Sequence, residues 1–175
     1  MSILETDPPF GRGNTLGVSS VNDGKTWIGA GKVFLDCDPK TGVNYSNAPV
    51  HCVILRNRTG SALLPGTIVA RTIDSATAIS AGTTAFTAVV DEYLPATGVA
   101  VNDCFYGVLS GPCSILTAGT MAVGDVVKSG AAGKAAAGLG LGFTLSAVAA
   151  GKVRCLIGSG LTADDGVAAT GASAQ

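Results

Sequence analysis

The chain has 175 residues, a net charge of −1, a hydrophobic fraction of 47% and a charged fraction of only 13%. At that length it makes one domain, with or without tails, and can bury a real core. The neutral balance excludes a general electrostatic reason to bind nucleic acid, no stretch is long and apolar enough to span a bilayer, and the scarcity of charge, about half the usual level, favours burial in an oligomer or larger assembly.

Residues 1–24 contain Pro8, Pro9 and several glycines with little periodicity, and read as an extended N-terminal arm. Pro8-Pro9-Phe10 is stiff and carries an aromatic tip, an anchor for a neighbouring subunit. Trp27 opens the ordered part of the chain, and these four residues are the candidate contacts with a neighbouring subunit. A β domain over 25–160 follows, then a flexible C-terminal tail over 161–175 that has no core pattern.

Within the β domain, Lys32-Val-Phe-Leu35 alternates as a strand, and Asp36-Cys-Asp38-Pro39-Lys-Thr-Gly42 is a turn set by Pro and Gly. Residues 50–55 make the strongest strand of the first half, and 57–61 turn again. Residues 62–70 and 122–127 share one form, apolar–Gly–polar–apolar, and predict two similar tight turns into strands. Residues 74–84 form a polar loop with one short strand, and 86–90 a strand. Asp91, Glu92 and the other acids between Arg71 and Lys128, where no Lys or Arg occurs, read as solvated loop charge. The densest β signal is 102–128. There Cys104–Leu109 and Cys113–Leu116 are expected as two paired core strands separated by Ser110-Gly-Pro112. Residues 129–142 carry alanine but also five glycines, which predicts a loop with at most one helical turn. Residues 143–148 and 152–157 alternate and form a hairpin across Ala-Ala-Gly151. Many short strands without a long amphipathic helix predict a single all-β sandwich or barrel-like domain.

No catalytic, cofactor-binding or metal set is expected. His51 is the only histidine, sits in an apolar strand, and reads as a core or edge residue. Gly24-Lys-Thr26 and Gly133-Lys134 are near-misses of a phosphate loop, the first without its leading glycine and the second without the hydroxyl for magnesium. Asp36 and Asp38 flank Cys37, and Asp164-Asp165 lie in the tail; each pair stands alone and reads as a solvated turn. Asn44-Tyr-Ser46 and Asn57-Arg-Thr59 match a glycosylation sequon that matters only in a secreted chain. The five cysteines are odd in number and lack CxxC spacing, so they read as free thiols, with Cys104 and Cys113 buried. The first residues lack a basic region followed by an apolar core, which fits synthesis in a reducing cytoplasm.

Residues 86–160 resemble the small head-decoration, or capsid cement, proteins of tailed bacteriophages. The resemblance is carried by Val90-Asp-Glu-Tyr-Leu-Pro95, Asn102-Asp-Cys-Phe-Tyr106 and Val108-Leu-Ser-Gly-Pro112. The Ala122-Val-Gly-Asp-Val-Val127 turn and the closing Gly142-Phe-Thr-Leu145 and Gly151-Lys-Val-Arg-Cys-Leu-Ile157 complete it. It implies a structural virion protein, made in the host cytoplasm, that binds the major capsid protein on the outside of the head as a homotrimer. It implies no cofactor, no nucleic acid and no membrane. The alternatives are another minor virion component, such as a head-fibre base, or a small β-barrel module for a carbohydrate or host surface. An enzyme ranks last.

Overall fold

The computed structural model describes residues 11–17, 28–72, 75–79, 87–138 and 140–158. Pro8, Pro9, Phe10 and Trp27, and the C-terminal tail, lie outside them. Among the described residues the chain is all-β. The strands are β1 (Gly31–Cys37), β2 (Asn44–Asn57), β3 (Ile68–Arg71), β4 (Ser75–Thr77) and β5 (Thr87–Val90), followed by β6 (Cys104–Leu116), β7 (Val126–Ser129), β8 (Ala135–Ala137), β9 (Gly142–Thr144) and β10 (Lys152–Ile157).

β6 is the spine. Its first half pairs antiparallel with β2, from Arg56↔Cys104 to His51↔Ser110, and touches β5 at Val89↔Val108. Its second half pairs with β10, from Ile157↔Gly111 to Lys152↔Leu116. The two core strands expected on either side of Ser110-Gly-Pro112 are therefore one strand of 13 residues, and they do not pair with each other. Gly111-Pro112 marks a change of partner, from β2 to β10. Gly111 has φ +105°, and a Cβ there would stand 2.4 Å from the Pro49 carbonyl oxygen. Glycine thus lets the strand bend past β2 without stopping.

The N-terminal strands close on themselves. β2 pairs parallel with β4, β4 with β3, β3 with β5, β5 with β6, and β6 again with β2. A closed ring leaves no free edge among its members. Each of its strands sends one face to a common cluster of Val53, Leu55, Val69, Ala76, Ala88, Val90 and Phe105, capped by Leu63, Leu94 and Val99. The opposite faces (Val50, Cys52, Ile54, Ile68, Val89, Tyr106 and Val108) pack with Cys113, Ile115, Val127, Val153, Cys155 and Ile157 of the second sheet. That sheet continues from β6 through β10, β9 and β7 to β8. The domain is a small barrel with a second sheet packed on its flank.

The two related turns are built alike. Thr67 N–H bonds the Leu64 carbonyl and Asp125 N–H the Ala122 carbonyl, and Gly66 and Gly124 take φ of +83° and +87°. This is the type II geometry, in which the third position of the turn needs a positive φ. The stretch 129–142, expected as a loop, contains a 3-10 turn at Ala131–Gly133 and also β8, which pairs with β7. The expected strand over 143–148 shortens to β9, and the hairpin to β10 turns at Ala150 and Gly151, both at positive φ.

Outside the ring, β1 pairs with the N-terminal part of β2 as a projecting hairpin. Its inward residue Phe34 meets the buried Tyr106 ring edge-on, with centroids 4.9 Å apart.

Candidate functional site

Two features of the hairpin stand out, one on each face. Inward lies a chain of buried charge. Asp36 of β1 is fully buried and pairs with Arg154 of β10, and it also accepts a hydrogen bond from Ser46. Arg154 Nη1 lies 3.2 Å from both Glu92 oxygens and donates to Ser114, 3.3 Å away. The Arg154 guanidinium stacks 5.0 Å from the Tyr45 ring centre. On the far side of Glu92 sits Arg12, itself buried, with Nη2 at 3.7 Å from Glu92 and 3.0 Å from Asp91. Arg12 Nε donates to Asp91 at 3.1 Å, the Gly13 N–H donates to the other Asp91 oxygen, and the guanidinium lies over Tyr93 at 4.7 Å.

Asp36, Asp91 and Glu92 are thus not solvated loop charges. Only Asp38 behaves as expected of its pair. It is exposed and accepts from the Lys40 and Thr41 N–H groups, and the Lys40 bond first of all lowers its pKa. The charges of opposite sign that bury the others arrive from far along the chain, 79 residues for Arg12–Asp91 and 118 for Arg154–Asp36.

Burial pushes the Asp91 carboxyl pKa up, against the pull of Arg12 and the Gly13 N–H. Burial alone would lower the Arg12 pKa, but Asp91 leads a set of neighbours that raise it. Arg154 is likewise raised on balance: burial acts downward, and the Asp36 bond and Glu92 outweigh it. Within this cluster Arg12 Nη1 and Tyr93 Oη stay unpaired, and Arg12 Nη2 approaches Asp91 without a directed hydrogen bond. The cluster holds opposite charges together; it contains no arrangement of nucleophile, base and orienting group.

Outward on the same hairpin lies an apolar strip. Val33 opposes His51 and Leu35 opposes Pro49, so the four side chains share one face. Val33 and Leu35 are 55% and 57% exposed. Val43 and Tyr45 are also exposed near the hairpin turn, Tyr45 with one side of its ring against Arg154. His51, expected in the core or at an edge, is exposed on this outer face between two paired strands. A second strip lies on the other sheet, where Val126 opposes Phe143 and Leu145 and Val123 stand nearby, all exposed. Elsewhere an exposed large apolar side chain is ordinary; directly opposed ones on a paired sheet form a surface.

The cysteines are all free, and Cys52, Cys104, Cys113 and Cys155 are buried, as expected. Burial pushes the Cys52 and Cys155 thiols up to about 12 and raises Cys113 well above the ordinary thiol value too, so none of these is a thiolate near neutral pH. The sequon-like Asn57-Arg-Thr59 is a structural device. Asn57 is buried, its amide donates to the Ser61 and Val99 carbonyls at 2.8 and 3.0 Å, and it accepts from the Thr59 N–H and hydroxyl. Among the described residues no group of His, Cys, Asp and Glu is disposed to hold a metal ion.

No protein-family model matches the chain, and no curated protein matches it. Among solved structures it is similar to the head fiber gp8.5 N base in bacteriophage phi29, at 15% identity and a TM-score of 0.45, over 62% of this chain and 93% of that one. A likeness this distant carries no functional argument.

Proposed function

We propose that the chain is a structural, non-enzymatic protein of a phage virion that decorates the outer surface of the head, self-associating as a homotrimer and bracing the major capsid protein across subunit seams. The observation that carries this reading is the opposed apolar strip Val33–His51, Leu35–Pro49, exposed on a hairpin that ion pairs fix to the body. The head-decoration resemblance of residues 86–160 and the low charge of the whole chain support it.

The mechanism is burial of apolar area at many equivalent seams. Each fully buried Val or Leu contributes about 1.5–3 kcal/mol, and a half-exposed one about half of that. Ordering costs reduce the sum at each contact, but the head repeats the contact many times. A rigid strip loses little conformational entropy on docking, which favours sheet-borne contacts over loops.

The test is the disruption temperature of undecorated, expanded heads with and without saturating protein. Decoration raises it. Full occupancy with no change would remove the bracing mechanism. Binding confined to a few attachment points, again with no change, would make the chain a head-fibre base instead.

A further inference from the structure

We propose that the exposed strip on the second sheet, Val126 and Phe143 with Leu145 and Val123, is a second docking face for the major capsid protein, so that one chain grips the shell on both sides of a seam. This rests on the head-decoration reading above. A chain that braces a seam needs a grip on each side of it, and the strip of Val33 and Leu35 supplies one.

The two sheets are two copies of one design. The ring β2–β4–β3–β5–β6 closes through the parallel pair Asn57↔Ala76. The second sheet closes in the same way, β8 returning to the end of β6 through the parallel bridge Thr117↔Ala135. Pairing follows one order. β7 pairs with β8 and β9 as β3 does with β4 and β5, and β9 pairs with β10 as β5 does with β6. β10 then pairs with the second half of β6 as the first half of β6 does with β2. Backbone bonds repeat as well. Gly66 N–H donates to Val90 as Gly124 does to Thr144, Val90 to Thr67 as Thr144 to Asp125, and Asp91 to Tyr106 as Leu145 to Arg154. Asn102 and Ala150, each just ahead of the last strand of its ring, both take positive φ, 72° and 50°.

The outward row Ile68–Val89–Val108–Cys52 of the first ring therefore corresponds to Val126–Phe143–Leu156–Pro112 in the second. In the first ring every member of the row is at most 2% exposed, packed with the second ring. In the second ring Val126 and Phe143 are 43% and 38% exposed, with Leu145 at 43% and Val123 at 68% beside them. A repeated unit that stacks on a neighbour leaves its last interface open, and a polar outer face is the usual cap. Here the open end is hydrocarbon. Positions that form an interface in one ring and stand bare in the other mark a face for a partner.

A second copy of the chain cannot repeat that junction, because each copy's second ring is already seated on its own first ring. The seat is close: a Cβ at Gly133 would stand 2.3 Å from the Ile68 carbonyl oxygen. The occupant is a different chain with an apolar surface, and the head-decoration reading supplies one, the capsid subunit across the seam. The two strips also hold a fixed separation. Asp36, on the hairpin of the first strip, pairs with Arg154, which lies on β10 of the second ring beside the open row. That ion pair ties one grip to the other, and a rigid two-site chain gains from linkage only where both sites match the shell at once.

The experiment titrates undecorated, expanded heads with the full chain, as wild type and as Val126→Ser/Phe143→Ser, and then heats the saturated heads. Two grips predict head binding weakened at least about tenfold and, at full occupancy, a disruption temperature that no longer rises. Val123→Asp changes the most exposed of the four side chains, so it reads the same face without touching the fold, and the same direction is expected. Binding and bracing equal to wild type, in a variant with a wild-type denaturation midpoint, overturn the second grip. Loss of self-association in sedimentation with head binding per chain unchanged also overturns it, and makes the strip a contact between copies. Wild type that occupies heads without raising their disruption temperature removes the bracing reading itself. Wild type and variant that brace equally remove only the second grip.

Discussion

On its inward face the β1–β2 hairpin carries Asp36, fully buried and paired with Arg154; on its outward face it carries Val33 and Leu35, each more than half exposed. The usual distribution places charge outside and hydrocarbon inside. Here one residue step along β1 reverses it, because successive side chains of a strand point to opposite faces. A buried ion pair is a poor source of net stability but a strict one for geometry, since breaking it leaves a charge in a medium that cannot solvate it. An exposed apolar strip contributes nothing to the isolated fold and gains its free energy when something covers it.

Removing the inward cation should have the largest effect. Arg154→Met leaves Asp36 and Glu92 buried without their partner, and chemical denaturation should show a loss of about 3–5 kcal/mol. The double variant Arg154→Met/Asp36→Leu should recover much of it. A single variant as stable as wild type would show that the inward charges are not held as described.

Next comes the seat of the hairpin on the spine. Gly111→Ala forces a side chain into a positive-φ position 2.4 Å from the Pro49 carbonyl. A loss of about 2–3 kcal/mol is expected by the same measurement. A loss below ~0.5 kcal/mol would mean that β2 and β6 part without strain there.

The pH dependence separates the two faces further. Because burial raises the folded-state pKa of Asp91, the folded chain binds a proton that the unfolded chain has already released. Stability should therefore fall as pH rises from the ordinary aspartate value, ~3.9, through the raised one, and stay lower above it. Denaturation midpoints across that window should show the slope in wild type and lose it in Asp91→Asn. A wild-type slope of opposite sign at Asp91 would mean that Arg12 outweighs burial.

Much of the fold was legible in the residues, and the site was less so. The strands at 68–71, 87–90 and 152–157 follow from alternation and β-branched content, and the paired turns from Gly66 and Gly124; the strand expected at 32–35 runs on through Asp36 and Cys37, which in the sequence read as the start of the turn. β8 was hidden because Ala-Ala-Ala among glycines has no strand signature; it is a strand only because β7 lies beside it. The continuity of β6 was hidden because Gly-Pro reads as a stop, whereas here the strand changes partner. The ring closure rests on the short parallel contact Arg56↔Ser75, Asn57↔Ala76, which no local pattern announces. Asp36 and Asp91 looked solvated because a charge in a sequence shows only its neighbours, and their arginines come from the two ends of the described chain. The outward strip was equally concealed: Lys32-Val-Phe-Leu35 has apolar residues on both faces, so the sequence does not say which ones are covered.

In the proposed function the outward strip is a docking surface and not part of the core. It is tested most directly by titrating undecorated heads with wild type and with Val33→Ser/Leu35→Ser, alongside their denaturation midpoints. Stability within about 0.5 kcal/mol of wild type is expected, because both positions are largely exposed, together with head binding weakened at least tenfold. Unchanged head binding by a variant that folds as well as wild type would contradict it.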